Sequence, residues 1–396
     1  MVLRARSGGG RRLLPAVVLA LLGVGALLSA CGSSRPSSAG RSASGAPAGG
    51  ASSAATPAAA IPASVAGGAS TTLQPSEAAF PSAATSTSLP SPSYVPGTRP
   101  GGSLAELGPV ERLVLQPLLP GRVPSEPSTT SGEAVPGGID VAFREFGSGP
   151  DLVLLPGEHT SMSSWGAQLL AALGASYTVV TPDLPGSGYS GAARGVRDVE
   201  QEADLVAALS VALGLDHPTV LGWGLGGQVA LALAERHPGM AGRLVLADTS
   251  AGGRGSARPD PAAAALLASP TSTDVELSTV LFPATAIGAQ QQWLQRVDRL
   301  PTDDLTAASV IQQAALEAAA ATGPSLARGL GRVAVPVLVV VGSLDELFPP
   351  ADADALVRAL RRARELVLPG AGYASILQDE PEFLVALDKF TGVAGG

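Results

Sequence analysis

The chain has 396 residues and a formal charge of −8, from 33 acidic and 25 basic side chains. That length accommodates one large domain with extensions, and the scattered negative charge argues against a nucleic-acid-binding surface. Cys31 is the only cysteine, which excludes an intramolecular disulfide; Lys389 is the only lysine, which we read as base composition of the gene. No metal and no cofactor are expected.

Arg4, Arg6, Arg11 and Arg12 form a positive segment ahead of Leu13 to Leu28, an apolar stretch of signal-peptide length interrupted by Pro15. Leu28-Ser29-Ala30-Cys31 follows and resembles the lipobox of bacterial lipoproteins. The resemblance implies that residues 1–30 are a signal peptide and that Cys31 is lipidated. The protein would then be exported and anchored to the outer face of the cell membrane. An ordinary signal peptide cut after Ala30 and an uncleaved membrane anchor are the alternatives.

Residues 31–138 are expected to be a tether. From Gly32 to about Pro100 the chain is mostly Ser, Ala, Gly, Pro and Thr, too poor in apolar surface to offset its ordering entropy. A flexible segment of about 70 to 100 residues spans roughly 45 to 60 Å. Leu104 to Leu119 is more apolar and is expected as a short docking helix. Gly121 to Gly138 returns to linker, which places the folded domain at 139–396.

Val141–Phe146 and Asp151–Leu155 read as strands joined by Gly147-Ser148-Gly149-Pro150. Tyr177–Thr181, Thr219–Gly222, Arg243–Ala247, Val337–Val341 and Glu365–Leu368 follow, the middle ones as continuous apolar runs expected of strands covered on both faces. Helical patterns lie between them. In one, Leu205, Val206, Leu209 and Leu213 share a face and Gly214 follows as a C-terminal stop. This alternation predicts an α/β fold with a doubly wound, mostly parallel sheet. A helical cap, about 251–332, with Trp293 and the alanine run Ala314–Ala321, is inserted between two strands.

Five motifs then stand in order: Leu154-Leu155-Pro156-Gly157-Glu158, Asp183 to Ser190, Gly222-Trp223-Gly224-Leu225-Gly226-Gly227, Gly342-Ser343-Leu344-Asp345, and Gly370-Ala371-Gly372-Tyr373 ahead of Glu380-Pro381-Glu382-Phe383. Together they are similar to the α/β-hydrolase family over about Ile139 to Val393. The resemblance implies a nucleophile, a base and an orienting acid at Gly224, Tyr373 and Asp345. It also implies oxyanion-hole amides from Glu158 and Leu225. Glycine has no attacking atom, and a tyrosine near its reference pKa of about 10 is a poor base at neutral pH. Asp345 is expected to accept a hydrogen bond from Tyr373, and the two amides are expected to point into the pocket.

His159 is the one histidine expected near the site. His237 precedes Pro238 in a structural position, and His217 belongs at the opposite end of the sheet. Trp165 and Trp223 are the candidate apolar walls. The leading expectation is a membrane-tethered lipoprotein that binds a small-molecule ligand or a partner without catalysis. An atypical hydrolase acting on ester- or lactone-like molecules is the alternative. A third reading comes from Gly222-x-Gly224-x-x-Gly227, which fits a dinucleotide fingerprint with Asp248 about twenty residues later.

Overall fold

A computed structural model describes residues 108–120, 138–192, 195–196, 198–297 and 305–393. The leader, Cys31 and the segment from Gly32 to Pro100 lie outside the described residues. Eight strands form one sheet: β1 (Glu111–Leu115), β2 (Ile139–Gly147), β3 (Asp151–Leu155), β4 (Thr178–Pro182), β5 (Thr219–Trp223), β6 (Arg243–Ala247), β7 (Val337–Gly342) and β8 (Ala363–Leu368). Their order across the sheet is β1-β2-β4-β3-β5-β6-β7-β8. From β4 to β8 neighbouring strands are parallel, whereas β2 runs antiparallel to both β1 and β4.

The expected docking helix is instead strand β1. Pro117 falls inside the span assigned to that helix and would break it, because proline lacks the amide proton and clashes with the preceding turn. The five residues Glu111–Leu115 pair with Phe143–Ile139 along the outer edge of β2. The folded body therefore begins upstream of Ile139.

The period-two alternation of a strand divides its side chains between two cores. On β3, Val153 and Leu155 enter one cluster and Leu152 and Leu154 the other. Helices α2 (Val199–Ala212), α3 (Leu225–Arg236) and α8 (Pro350–Ala359) contribute to the first cluster. Helices α1 (Ala167–Gly174), α9 (Ser375–Gln378) and α10 (Glu380–Thr391) contribute to the second. Each fully buried Leu, Val or Phe in these clusters contributes about 1.5–3 kcal/mol relative to exposure. As expected, Leu205, Val206 and Leu209 of α2 are buried, and Gly214 follows the helix at φ 67°.

Between β6 and β7 the chain builds the cap: α4 (Pro261–Ala268), α5 (Asp274–Leu281), α6 (Ile287–Val297), α7 (Ala307–Thr322) and two 3₁₀ turns at Leu326–Arg328 and Leu330–Arg332. Helix starts are marked locally. Asp260 caps α4 through the amides of Ala262 and Ala263, and Thr273 with Glu276 makes a reciprocal capping box on α5. The sheet order reverses direction beside β3, because the chain goes from β3 outward to β4 and then returns to β5 on the other side. The crevice beyond the carboxyl ends of β3 and β5 is where such sheets bind ligands.

Candidate functional site

Strand β5 ends in a turn at Gly224, whose φ of 54° and ψ of −120° lie in a region that side chains with a Cβ avoid. The turn is held on several sides. Gly224 donates its amide to Ala247 O at 3.0 Å, and its carbonyl accepts from Gly227 N at 2.9 Å and Thr249 Oγ1 at 2.6 Å. Gly222 and Gly226 permit the close packing of helix on sheet, since a Cβ on Gly226 would collide with Leu155 O and one on Gly222 with Gly226 O.

At position 224 the obstruction is different in kind. A Cβ there would overlap the Tyr373 hydroxyl and Glu158 Oε2. Those two groups bond to each other, with Tyr373 Oη donating to Glu158 Oε2. The volume next to the turn is thus filled by a hydrogen-bonded pair from two loops. Tyr373 is held there by neighbours on both sides. Its ring lies 5.1 Å from Trp223 and 5.7 Å from Phe348, and its carbonyl accepts the Trp223 indole N–H at 2.8 Å. Trp165 continues this aromatic row, 5.9 Å from Trp223.

Glu158 is 2% exposed, and burial pushes its carboxyl above the usual range. The Tyr373 hydroxyl and the amides of Glu158 itself and Leu225 pull in the opposite direction, by favouring the charged form. Oε1 nevertheless has no hydrogen bond of good geometry. The carboxyl of Glu158 thus stands beside the turn, a part for its side chain that the sequence reading, which assigned only its amide, did not foresee. Asp345 also departs from expectation. Tyr373 does not donate to it. Its Oδ1 accepts from the amides of Leu347 at 2.8 Å and Phe348 at 3.0 Å, and Oδ2 has no partner. Burial pushes Asp345 up to about 8, with Glu158 and Asp352 adding repulsion against the two amides.

Two further acids complete the cluster, and the sequence reasoning assigned neither to it. Glu317 of α7 is pushed up to about 8 by burial and by the charge of Glu158. Asp248, at φ 46°, accepts from Gly342 N at 3.0 Å with Oδ1, and from Ser375 N at 3.1 Å and Oγ at 2.7 Å with Oδ2. Both oxygens of Asp248 are thereby engaged inside the core. This overturns the dinucleotide reading, which needs a carboxylate free to meet a ribose.

Above Glu158 lies a cavity of about 300 Å³ beneath the cap. Glu158, His159, Thr160, Ser164 and Trp223 line it from the body, and Leu267, Leu277, Leu281, Trp293 and Val310 from the cap. Gly224, Asp345 and Tyr373 are not among the lining residues. Trp165 is not either, so of the two tryptophans proposed as walls only Trp223 serves. His159 sits at φ 53°, and its Nδ1 lies 2.8 Å from Leu267 O. A carbonyl only accepts, so Nδ1 carries the proton and the neutral ring keeps its lone pair on Nε2. Burial pushes this imidazole below its ordinary value, opposed by the Leu267 bond and Asp274.

The other histidines are remote. His237 ends α3 and contacts Asp204 Oδ1 at 2.7 Å. His217 lies exposed at the amino end of β5.

Residues 152–387 match the family described as the Alpha/beta hydrolase family.

The chain belongs to that family.

It is 30% identical over 258 residues to a pimeloyl-[acyl-carrier protein] methyl ester esterase of Aeromonas hydrophila, covering 64% of this chain and 100% of that protein. It is 27% identical over 266 residues to an uncharacterized protein of Mycobacterium tuberculosis, covering 63% and 77% of the two chains. Among solved structures it resembles an esterase from Rhodococcus, with a TM-score of 0.57 and 23% identity over 72% of this chain and 98% of that one. The sheet is that of an α/β hydrolase, and the cap occupies the segment between β6 and β7. Within this hydrolase-family domain, Gly224 stands at the strand-to-helix turn between β5 and α3.

Proposed function

We propose that this chain is an envelope lipoprotein whose α/β-hydrolase domain binds a small molecule without hydrolysing it. One observation carries the reading: where a nucleophile would stand is Gly224, and the space a side chain would need there is taken by the Glu158–Tyr373 pair. Nucleophilic catalysis requires an attacking atom and a base within hydrogen-bond reach, and Tyr373, which burial pushes further above its ordinary value, cannot supply the base at neutral pH. The cavity is consistent with binding. It is concave, has mainly apolar cap walls and carries a few polar groups from the body.

A second reading is favoured by the esterase relatives and by His159 in the cavity wall. In it, water activated by the lone pair of Nε2 attacks an ester-like or lactone-like substrate. One assay separates the two. The purified chain is incubated with short acyl methyl esters and with a fluorophosphonate that labels activated serines. Neither turnover nor labelling is expected; ester turnover that disappears in His159→Ala would sink the binding reading.

The anchoring part of the proposal rests on the sequence around Cys31. Cys31→Ala should move the protein from the membrane fraction to the soluble or secreted fraction and abolish incorporation of labelled palmitate. Unchanged fractionation and labelling would remove the lipid anchor from the proposal.

A further inference from the structure

We infer that the cavity under the cap takes a small organic cation, an ammonium group on an apolar body, with Glu158 as its counter-ion. This deepens the binding reading above and depends on it. Three observations carry it, and the first is the charge of the lining. Among the described residues the wall contains two acids, Glu158 and Asp274, and no arginine or lysine. His159 faces the same space, but its Nδ1 is taken up by Leu267 O and burial pushes its imidazole below the ordinary value. An anionic ligand would find no positive side chain among the described lining residues.

The second observation is the state of Glu158. It lines the cavity, it is 2% exposed, and Oε1 lacks a partner while Oε2 accepts from Tyr373. A buried carboxyl with one unused oxygen is short of a donor and of a compensating positive charge. An ammonium group supplies both, through a charge-assisted hydrogen bond.

The third observation concerns the rest of the cavity. Trp223 and Trp293 line it together with leucines from α4 and α5. Such walls suit an aliphatic or aromatic body, and indole faces attract cations. A bare metal ion fits poorly, because no group of three or more His, Cys, Asp or Glu among the described residues is arranged to hold one.

The test uses calorimetric titration of the full chain with three probes of one shape: benzylammonium, benzyl alcohol and benzoate. Benzylammonium is expected to bind at least tenfold more tightly than the alcohol, with no measurable binding of benzoate. Glu158→Gln keeps an acceptor for Tyr373, and should weaken benzylammonium at least tenfold while leaving the alcohol unchanged. Asp274→Asn, at the exposed start of α5, guards against a folding defect at position 158 and should weaken benzylammonium about two- to fivefold. Tighter binding of benzoate or the alcohol, or unchanged benzylammonium binding in both variants, would overturn the cation assignment and leave a binding cavity. Silence from all three probes would overturn the cavity as a binding site as well.

Discussion

Gly224→Ser is expected to lower the melting temperature by about 10 °C, and Gly224→Ala to do nearly the same. Two effects add. A residue with a Cβ at this φ and ψ carries about 1–3 kcal/mol of backbone strain. The new Cβ also overlaps Tyr373 Oη and Glu158 Oε2, so the buried pair must part. Leaving such groups unsatisfied costs about 1–3 kcal/mol, more if one of them is charged. A domain of this size loses about 2–4 °C per kcal/mol, which gives the expected drop. The two contributions separate experimentally. In a background carrying Glu158→Ala and Tyr373→Phe, Gly224→Ala should cost only the strain, about 1–3 kcal/mol. Differential scanning calorimetry decides the matter: a Gly224→Ser protein melting within 2 °C of the parent would mean the site has room for a nucleophile after all.

Stability should fall steeply between pH 5.5 and pH 8. Asp345 and Glu317 titrate near 8 in the folded chain, against ordinary values of 3.8 and 4.5. In that interval the folded state holds protons that the unfolded state has released. Unfolding therefore becomes easier as pH rises, with the destabilisation complete only above about 8. One such group accounts for up to about 1.4 kcal/mol per pH unit across its window. Both acids interact with Glu158, so their contributions do not simply add. The direction is opposite to that of a carboxylate held in an ion pair. Asp345→Asn should raise the melting temperature at pH 8 by several degrees and change little at pH 5, because the amide oxygen still accepts from Leu347 and Phe348. A melting temperature that is flat or rises from pH 5.5 to 8 would show that these carboxyls are not buried as described.

Much of this could be read along the chain, because much of it is local. The central parallel strands are apolar runs bounded by turn residues, and the cap shows itself as a helical stretch between two of them. Gly224 was legible for the same reason, since a strand, a glycine turn and a helix follow one another from Thr219 to Arg236. What escaped depended on long-range approach. Glu158 bonds Tyr373 across 215 positions, and no pattern along the sequence brings them together. Its role was read through its amide, whereas its side chain does more to shape the site. A charged residue directly after Pro156-Gly157, in a loop otherwise facing an apolar interior, was the available clue. Asp248 was misread because spacing alone cannot tell a carboxylate that meets a ligand from one satisfied by Gly342 and Ser375. Strand β1 was missed because five residues of edge strand have too little periodicity of their own; the partner supplies the order.

The pairing of β1 with β2 bears on how the domain can be handled in isolation. A fragment cut at Ile139 would strip Glu111–Leu115 from a nine-residue strand and leave its outer row of amides and carbonyls open to the next molecule. Val141, Ala142 and Phe143 would sit on that bared border. Such a fragment is a template for intermolecular strand addition, so soluble material should come from cuts upstream of Pro109.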